Sequence, residues 1–174
     1  MASEQMITKL WEMADQVAQA QGCRLYDLEM VGGGGNRVLR IYIDKKEIPV
    51  GIEDCTNVSR GLNEILDTQD LVQGGAYHLE VSSPGLQRPL KQDWHFQAAE
   101  GQRVWLKTTK PLSDFGVTIK KMMAAKQVEG LLLRLESTNL VLQLDEGEIQ
   151  IPLTAVEKAH VVFDFGEAMK KGKK

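Results

Sequence analysis

Cysteine is scarce in this chain of 174 residues: Cys23 and Cys55 are the only two. They form neither a CxxC motif nor a Cys/His pattern, which argues against a disulfide framework or a zinc site and marks both as small buried hydrophobes. Histidine is nearly as rare, and His78, His95 and His160 show no metal-ligand spacing. Long apolar runs are missing too. No stretch approaches the roughly 20 residues of a membrane span, and the first residues lack the charged-then-apolar pattern of a secretion signal, so a soluble, cytoplasmic protein is expected. Aromatic residues make up only 6% of the chain, and the N-terminal half has little with which to stack bases.

The formal charge of -3 conceals an asymmetry. Residues 1–90 hold 8 Lys+Arg against 13 Asp+Glu, whereas residues 91–174 hold 13 against 11. Halves of opposite sign should prefer different partners.

The chain is organised around Leu79-Glu80-Val81-Ser82-Ser83-Pro84-Gly85-Leu86-Gln87-Arg88-Pro89-Leu90. Tyr77, Leu79 and Val81 alternate with His78, Glu80 and Ser82, as the two faces of a strand do. Pro84 and Gly85 are the pair that a type II turn takes at its central positions, so the strand should stop at Ser83. Arg88 precedes a proline and is therefore held extended, which makes the connection stiffer than a Gly/Ser linker. A joint near the midpoint argues for two small domains: an N-terminal α/β domain at 1–86, the joint at 87–92, a second domain at 93–166, and a basic tail at 167–174, expected to be disordered. Its lysines suit backbone attraction to nucleic acid.

In the first half, Ile7, Leu10, Trp11, Ala14, Val17 and Ala18 mark a helix from about Ser3, a plausible cap, to Gln21, with Gly22 as its stop. Tyr26, Leu28 and Met30 alternate with Asp27 and Glu29, and Leu39, Ile41 and Ile43 with Arg40 and Tyr42, so two strands flank Gly32-Gly33-Gly34-Gly35-Asn36. A phosphate-binding loop would lead into a helix and end in Gly-Lys-Ser/Thr; this run leads into another strand and reads as a hairpin tip. Cys55, Val58, Leu62, Ile65 and Leu66 predict a second helix, with Glu53 and Asp54 in a first turn where acids favour the helix dipole. Adjacent helical positions point about 100° apart, so a paired-carboxylate active site is the weaker reading. Helix, strand, strand, helix, strand describes two helices on one face of a three-stranded sheet.

In the second half, Asp93 is a candidate cap for one helical turn over Trp94 to Glu100. Strand patterns follow at Val104 and Leu106, at Val128 to Leu135, at Leu140, Leu142 and Leu144, at Ile149, Ile151 and Leu153, and at Val161 with Phe163. Short turns between the middle strands make them hairpins, and Thr154-Ala155-Val156 fits one tight turn. An all-β small closed barrel of SH3-like or Sm-like form is expected. The piece from Thr108 to Lys126 is too long for a plain hairpin turn, and its Lys110, Lys120, Lys121 and Lys126, beside the flexible Met122 and Met123, suit contact with phosphates or an uneven protein surface.

No constellation for chemistry stands out. Ser82 and Ser83 sit in an SSPG turn without the flanking pattern of a nucleophile elbow, and a pairing with His78 lacks a third member. Capping of backbone groups at the strand end is the better use of the two hydroxyls. Asp164-Phe165-Gly166 copies a kinase tripeptide without the accompanying motifs. No cofactor, metal ligand or small-molecule substrate is expected.

The stretch Leu79 to Leu90 closely resembles the most recognisable segment of the bacterial ribosome maturation factor RimP family. Leu39-Arg40-Ile41-Tyr42-Ile43-Asp44, Glu53-Asp54-Cys55 with Val58-Ser59, Gly75-Ala76-Tyr77, and Ile151-Pro152-Leu153 with Lys158-Ala159 are similar to that family as well. The resemblance implies a two-domain, non-enzymatic assembly factor that binds the immature small (30S) ribosomal subunit, touches small-subunit ribosomal protein number twelve, and assists maturation. Three departures stand out. Gln87 replaces the family's usual Asp, so any salt bridge made there is absent; Leu71-Val72-Gln73-Gly74 replaces a proline-containing approach and should be looser; and the Thr108 to Lys126 loop is longer than usual.

Together these readings place docking at Ser82, Ser83, Pro84, Gly85, Arg88 and Pro89, and rRNA contact at Lys110, Lys120, Lys121, Lys126, Lys170 and Lys171. The alternatives are a standalone RNA-binding regulator with an Sm-like barrel, and a hydrolase that uses Ser83.

Overall fold

The apolar stripe that starts at Ile7 forms α1 (Glu4–Ala20) in a computed structural model that describes residues 4–163. The proposed cap at Ser3 lies outside the described residues, as do Asp164-Phe165-Gly166 and the basic tail. Gly22, at φ 72°, ends the helix: its own N–H reaches the Gln19 carbonyl at 3.0 Å while the Cys23 N–H reaches that of Ala18 at 2.9 Å. This pair of bonds is a Schellman motif, and its left-handed residue favours glycine.

β1 (Arg24–Val31) and β2 (Arg37–Asp44) form the expected antiparallel hairpin, and α2 (Ile52–Gln69) carries the chain across to β3 (Tyr77–Ser82), which pairs parallel to β2. The sheet order is β1-β2-β3. Leu39, Ile41 and Ile43 of β2 point into a core closed by Leu10, Ala14 and Ala18 of α1 and Val58, Leu62 and Leu66 of α2. The expected alternation of β1 fails at its start. A bulge between Leu25 and Asp27 leaves Tyr26 without an opposite residue, so that Leu25 and Leu28 both reach the core and Tyr26 and Asp27 are buried as well. The loop before β3 is better anchored than expected, because Val72 inserts into the core and Arg37 donates to the Gly75 carbonyl at 3.2 Å.

The boundary between this unit and the next falls between Pro84 and Gly85. The second unit contains α3 (Asp93–Ala98), β4 (Arg103–Thr108), β5 (Gln127–Glu136), β6 (Asn139–Leu144), β7 (Gly147–Pro152) and β8 (Val156–Val161). Two-residue turns at Ser137-Thr138 and Asp145-Glu146 make the predicted hairpins. Asp93 is not the cap of α3. Gln92 takes that position, and the buried His95 reaches back, its Nδ1 accepting the Lys91 N–H at 3.0 Å and the Gln92 N–H at 3.3 Å. The imidazole thus ties down the residues leading into the helix, while the first-turn N–H groups of His95 and Phe96 are met by the Gln92 carbonyl.

The barrel is the main correction, because the five strands form an open sheet in the order β7-β6-β5-β4-β8. Closure would require β8 to pair with β7 along its second edge. That edge is already taken: the Leu90 N–H donates to Ala159 at 2.9 Å and the Val161 N–H to Arg88 at 3.1 Å, with Pro89 bridged to His160. The sheet is nevertheless strongly curled. A 3₁₀ turn at Leu153–Ala155 joins β7 to β8, and four residue steps span at most about 14 Å, whereas the outer strands of a flat five-stranded sheet would lie about 19 Å apart.

The Thr108 to Lys126 excursion is not a flexible loop. Leu112 and Val117 are buried in the core; Leu112 N–H donates to Ala125 at 2.8 Å and Ser113 N–H to Met123 at 3.0 Å. Phe115, Ile119 and Met122 pack against the same core, and the buried Thr108 hydroxyl donates to the Lys110 carbonyl at 2.7 Å, pinning the base. Of the two methionines expected to offer a flexible contact surface, Met122 packs against the core while Met123 stays 39% exposed.

Candidate docking surfaces

At the end of β3, Ser82 and Ser83 line a hollow of about 550 Å³ together with Ile52, Cys55, Ser59 and Val81. Both serines are exposed and, among the described residues, neither side chain makes a hydrogen bond, so the expected capping does not occur. The residue after Ser83 is a proline, which removes one backbone donor that a hydroxyl could have satisfied. No pairing with His78 forms either. Five strand steps separate it from Ser83, about 16 Å at the usual rise.

The mouth of this hollow is set by the start of α2. Ile52 is 88% exposed, and Gly51 precedes it as the cap. Asp54 folds back to accept the Gly51 N–H at 2.9 Å and the Lys45 ammonium at 2.6 Å. The Lys45 hydrogen bond, followed by the Gly51 N–H, holds the Asp54 carboxyl below its usual range, and the same bond pushes Lys45 upward. An acid fixed in this way stabilises the helix terminus and is a poor proton donor near neutrality. On the face of the sheet away from the helices, Arg40 of β2 pairs with Glu80 of β3 at 2.9 Å, both exposed.

Gly85 has φ 80°, as a turn glycine should, but the turn itself is centred on Leu86-Gln87 and not on Pro84-Gly85. The chain must redirect there to lay Arg88 to Leu90 along β8. Arg88 and Pro89 are therefore extended for two reasons, the local restriction before proline and the pairing with β8. Pro89 suits an edge position, where its missing N–H costs nothing.

Pro89 and Gln87 also border the second unit's hollow, about 560 Å³ in volume, whose walls include Leu90, Phe96, Trp105 and His160. Trp105 and His160 face each other across β4 and β8 with ring centroids 5.1 Å apart and planes inclined by 22°. Lys110, Lys120, Lys121 and Lys126 are all exposed. Of these, Lys126 lies near Lys107 and Lys158 around Glu157, whose acidity is raised first by its 2.7 Å bond to Lys107 and then by the surrounding lysine charges. Lys170 and Lys171 lie outside the described residues. Trp105 and Lys107 were not singled out from the sequence, His160 was noted only for lacking metal-ligand spacing, and Lys158 only as part of a family likeness. The available signal was Trp105 itself, an indole on the outward position between two core residues.

Among the described residues, no group of three His, Cys, Asp or Glu side chains could hold a metal ion, and no helix is long and apolar enough to cross a membrane. The described residues thus form two units, one α+β and one a curled, open five-stranded sheet, each with a shallow hollow. Residues 13–87 match the RimP N-terminal domain. This match, over somewhat less than half of the chain, supports a place in the RimP family of ribosome maturation factors.

Proposed function

We propose that this protein is a non-catalytic assembly factor that binds the immature small ribosomal subunit in the cytoplasm, with contacts to ribosomal protein and to rRNA. The match of residues 13–87 to the RimP N-terminal domain carries the reading. The charge distribution supports it. Residues 1–84 hold 7 Lys+Arg and 13 Asp+Glu, and residues 85–174 hold 14 and 11. An acidic unit suits a basic ribosomal protein, for which the family resemblance suggests small-subunit protein number twelve, and a basic unit suits RNA. In this division Ser82, Ser83 and Pro84 belong to the protein-facing part, while Lys110, Lys120, Lys121, Lys126, Lys170 and Lys171 face RNA.

Co-sedimentation tests the reading: the protein should pellet with immature small subunits and not with mature ones, and equal pelleting with both would refute it. Deleting residues 167–174 and replacing Lys120 and Lys121 by Gln should flatten the salt dependence of pelleting; an unchanged slope would remove these residues from the interface. A standalone RNA-binding regulator is the second reading, favoured by the stacked Trp105 and His160 rings. It requires tight, selective binding to naked RNA in a filter assay with no preference for assembling subunits.

A further inference from the structure

Val104 and Leu106 of β4 point into the core, which leaves Trp105 on the outer face of the sheet. An indole there gains little from the core and is free to serve a partner. Its neighbour is held in place. The Nδ1 of His160 lies 3.0 Å from the Val161 carbonyl, and because a carbonyl only accepts, Nδ1 carries the proton of that bond. The backbone of His160 is bridged to Pro89 on one side and paired with Trp105 on the other. Two flat rings of fixed orientation therefore wall the hollow of about 560 Å³, with Leu90, Phe96 and Ala159 as its apolar lining.

Cations surround this slot in excess. Lys158 lines the hollow and stands opposite Lys107 in the β4–β8 register, and Lys126 directly precedes Gln127, the partner of Lys107 on β5. Glu157 neutralises Lys107 at 2.7 Å, and Glu129, opposite Trp105 on β5, is tied to Arg103 at 3.0 Å. Lys91 and Asp93, one residue of each sign, also line the hollow. Lys126 and Lys158 are exposed and form no ion pair among the described residues. A flat aromatic wall beside two spare positive charges matches a base with its phosphates better than an apolar peptide, which would have no use for the lysines.

We propose that the outer face of β4 and β8 binds an unpaired nucleotide of single-stranded RNA, the base extending the Trp105–His160 stack and the flanking phosphates lying beside Lys126 and Lys158. The choice of RNA over DNA rests on the ribosomal reading above; the stacking site does not.

Fluorescence anisotropy of a labelled ten-residue oligoadenylate, titrated with the full chain, tests this. Trp105→Leu should weaken binding by about 5- to 150-fold, the span of one lost base stack, while Trp105→Phe should keep most of the affinity. Lys126→Gln with Lys158→Gln should reduce the slope of log affinity against log salt by about 1.4. Circular dichroism melts check that each variant folds. Equal affinity of the parent and a folded Trp105→Leu protein overturns the proposal, as does absence of binding by the parent. A Trp105→Leu protein that binds the oligonucleotide like the parent but pellets poorly with immature subunits assigns this face to a protein partner and also overturns it. Parallel pelleting keeps the two readings apart: a parent that binds the oligonucleotide but ignores immature subunits sinks the ribosomal role and leaves this surface standing.

Discussion

The contact between the two long helices at Gly61 is a sharp test of how tightly they pack. Gly61 lies in the middle of α2, where glycine costs about 1 kcal/mol relative to alanine. Its presence is explained by α1: a Cβ added at Gly61 would sit 2.9 Å from a methyl group of Val17. Ordinary carbon contacts are about 3.5–4.0 Å, so the helices must yield by roughly half an ångström to one ångström. Val17 cannot swing aside, because a β-branched residue in a helix has one strongly preferred rotamer. Overpacking of this kind costs about 1–3 kcal/mol. Gly61→Ala alone should therefore lie between neutral and about 2 kcal/mol destabilising, the strain outweighing the gain in propensity. In a Val17→Ala background the obstructing methyl groups are gone, and the same substitution should stabilise by up to about 1 kcal/mol. Urea unfolding followed by the helical circular dichroism signal reads this unit, since α1 and α2 have 17 and 18 residues against 6 in α3. If the effect of Gly61→Ala is the same in both backgrounds to within about 0.5 kcal/mol, the two residues are uncoupled and the reasoning fails.

Two further outcomes follow from local geometry. A Cβ at Gly85 would meet no atom within 4 Å, so the cost of substitution is backbone conformation alone at φ 80°. Gly85→Ala should cost about 1–2 kcal/mol, Gly85→Asn less and Gly85→Val more, with subunit pelleting falling in the same order; indifference to the side chain would show that the left-handed conformation is not required. The Lys45–Asp54 pair predicts a pH window. Asp54 is held below its ordinary value of 3.8, so its contribution is present above that value and disappears as pH falls through the lower folded value. Lys45 is raised above 10.5, so its contribution is full below 10.5 and is lost as pH rises through the folded value. The urea midpoint of Lys45→Met should thus fall furthest below that of the parent near neutrality and converge with it in acid, and a pH-independent difference would exclude the ion pair as the cause.

Sequence alone determined what depends on near neighbours. The apolar spacings of α1 and α2, the outward His78, Glu80 and Ser82, the glycine hairpin and the two short turns of the second unit are all set by the period of one element or the geometry of one turn, and the family signature around Ser82 to Arg88 is equally local. Tertiary structure decided whatever required distant residues to compete for one place. Whether the second sheet closed depended on Arg88 to Leu90 occupying the edge of β8, some seventy residues later in the chain. The bulge at Tyr26, the absence of a side chain at Gly61 and the burial of Leu112 and Val117 are likewise answers to neighbours that periodicity does not name. Trp105 and His160 are the clearest case. Each is a single outward residue on its own strand, and only the antiparallel register of β4 and β8 stacks them into a surface, because pairing across a sheet is a property of the fold and not of either strand.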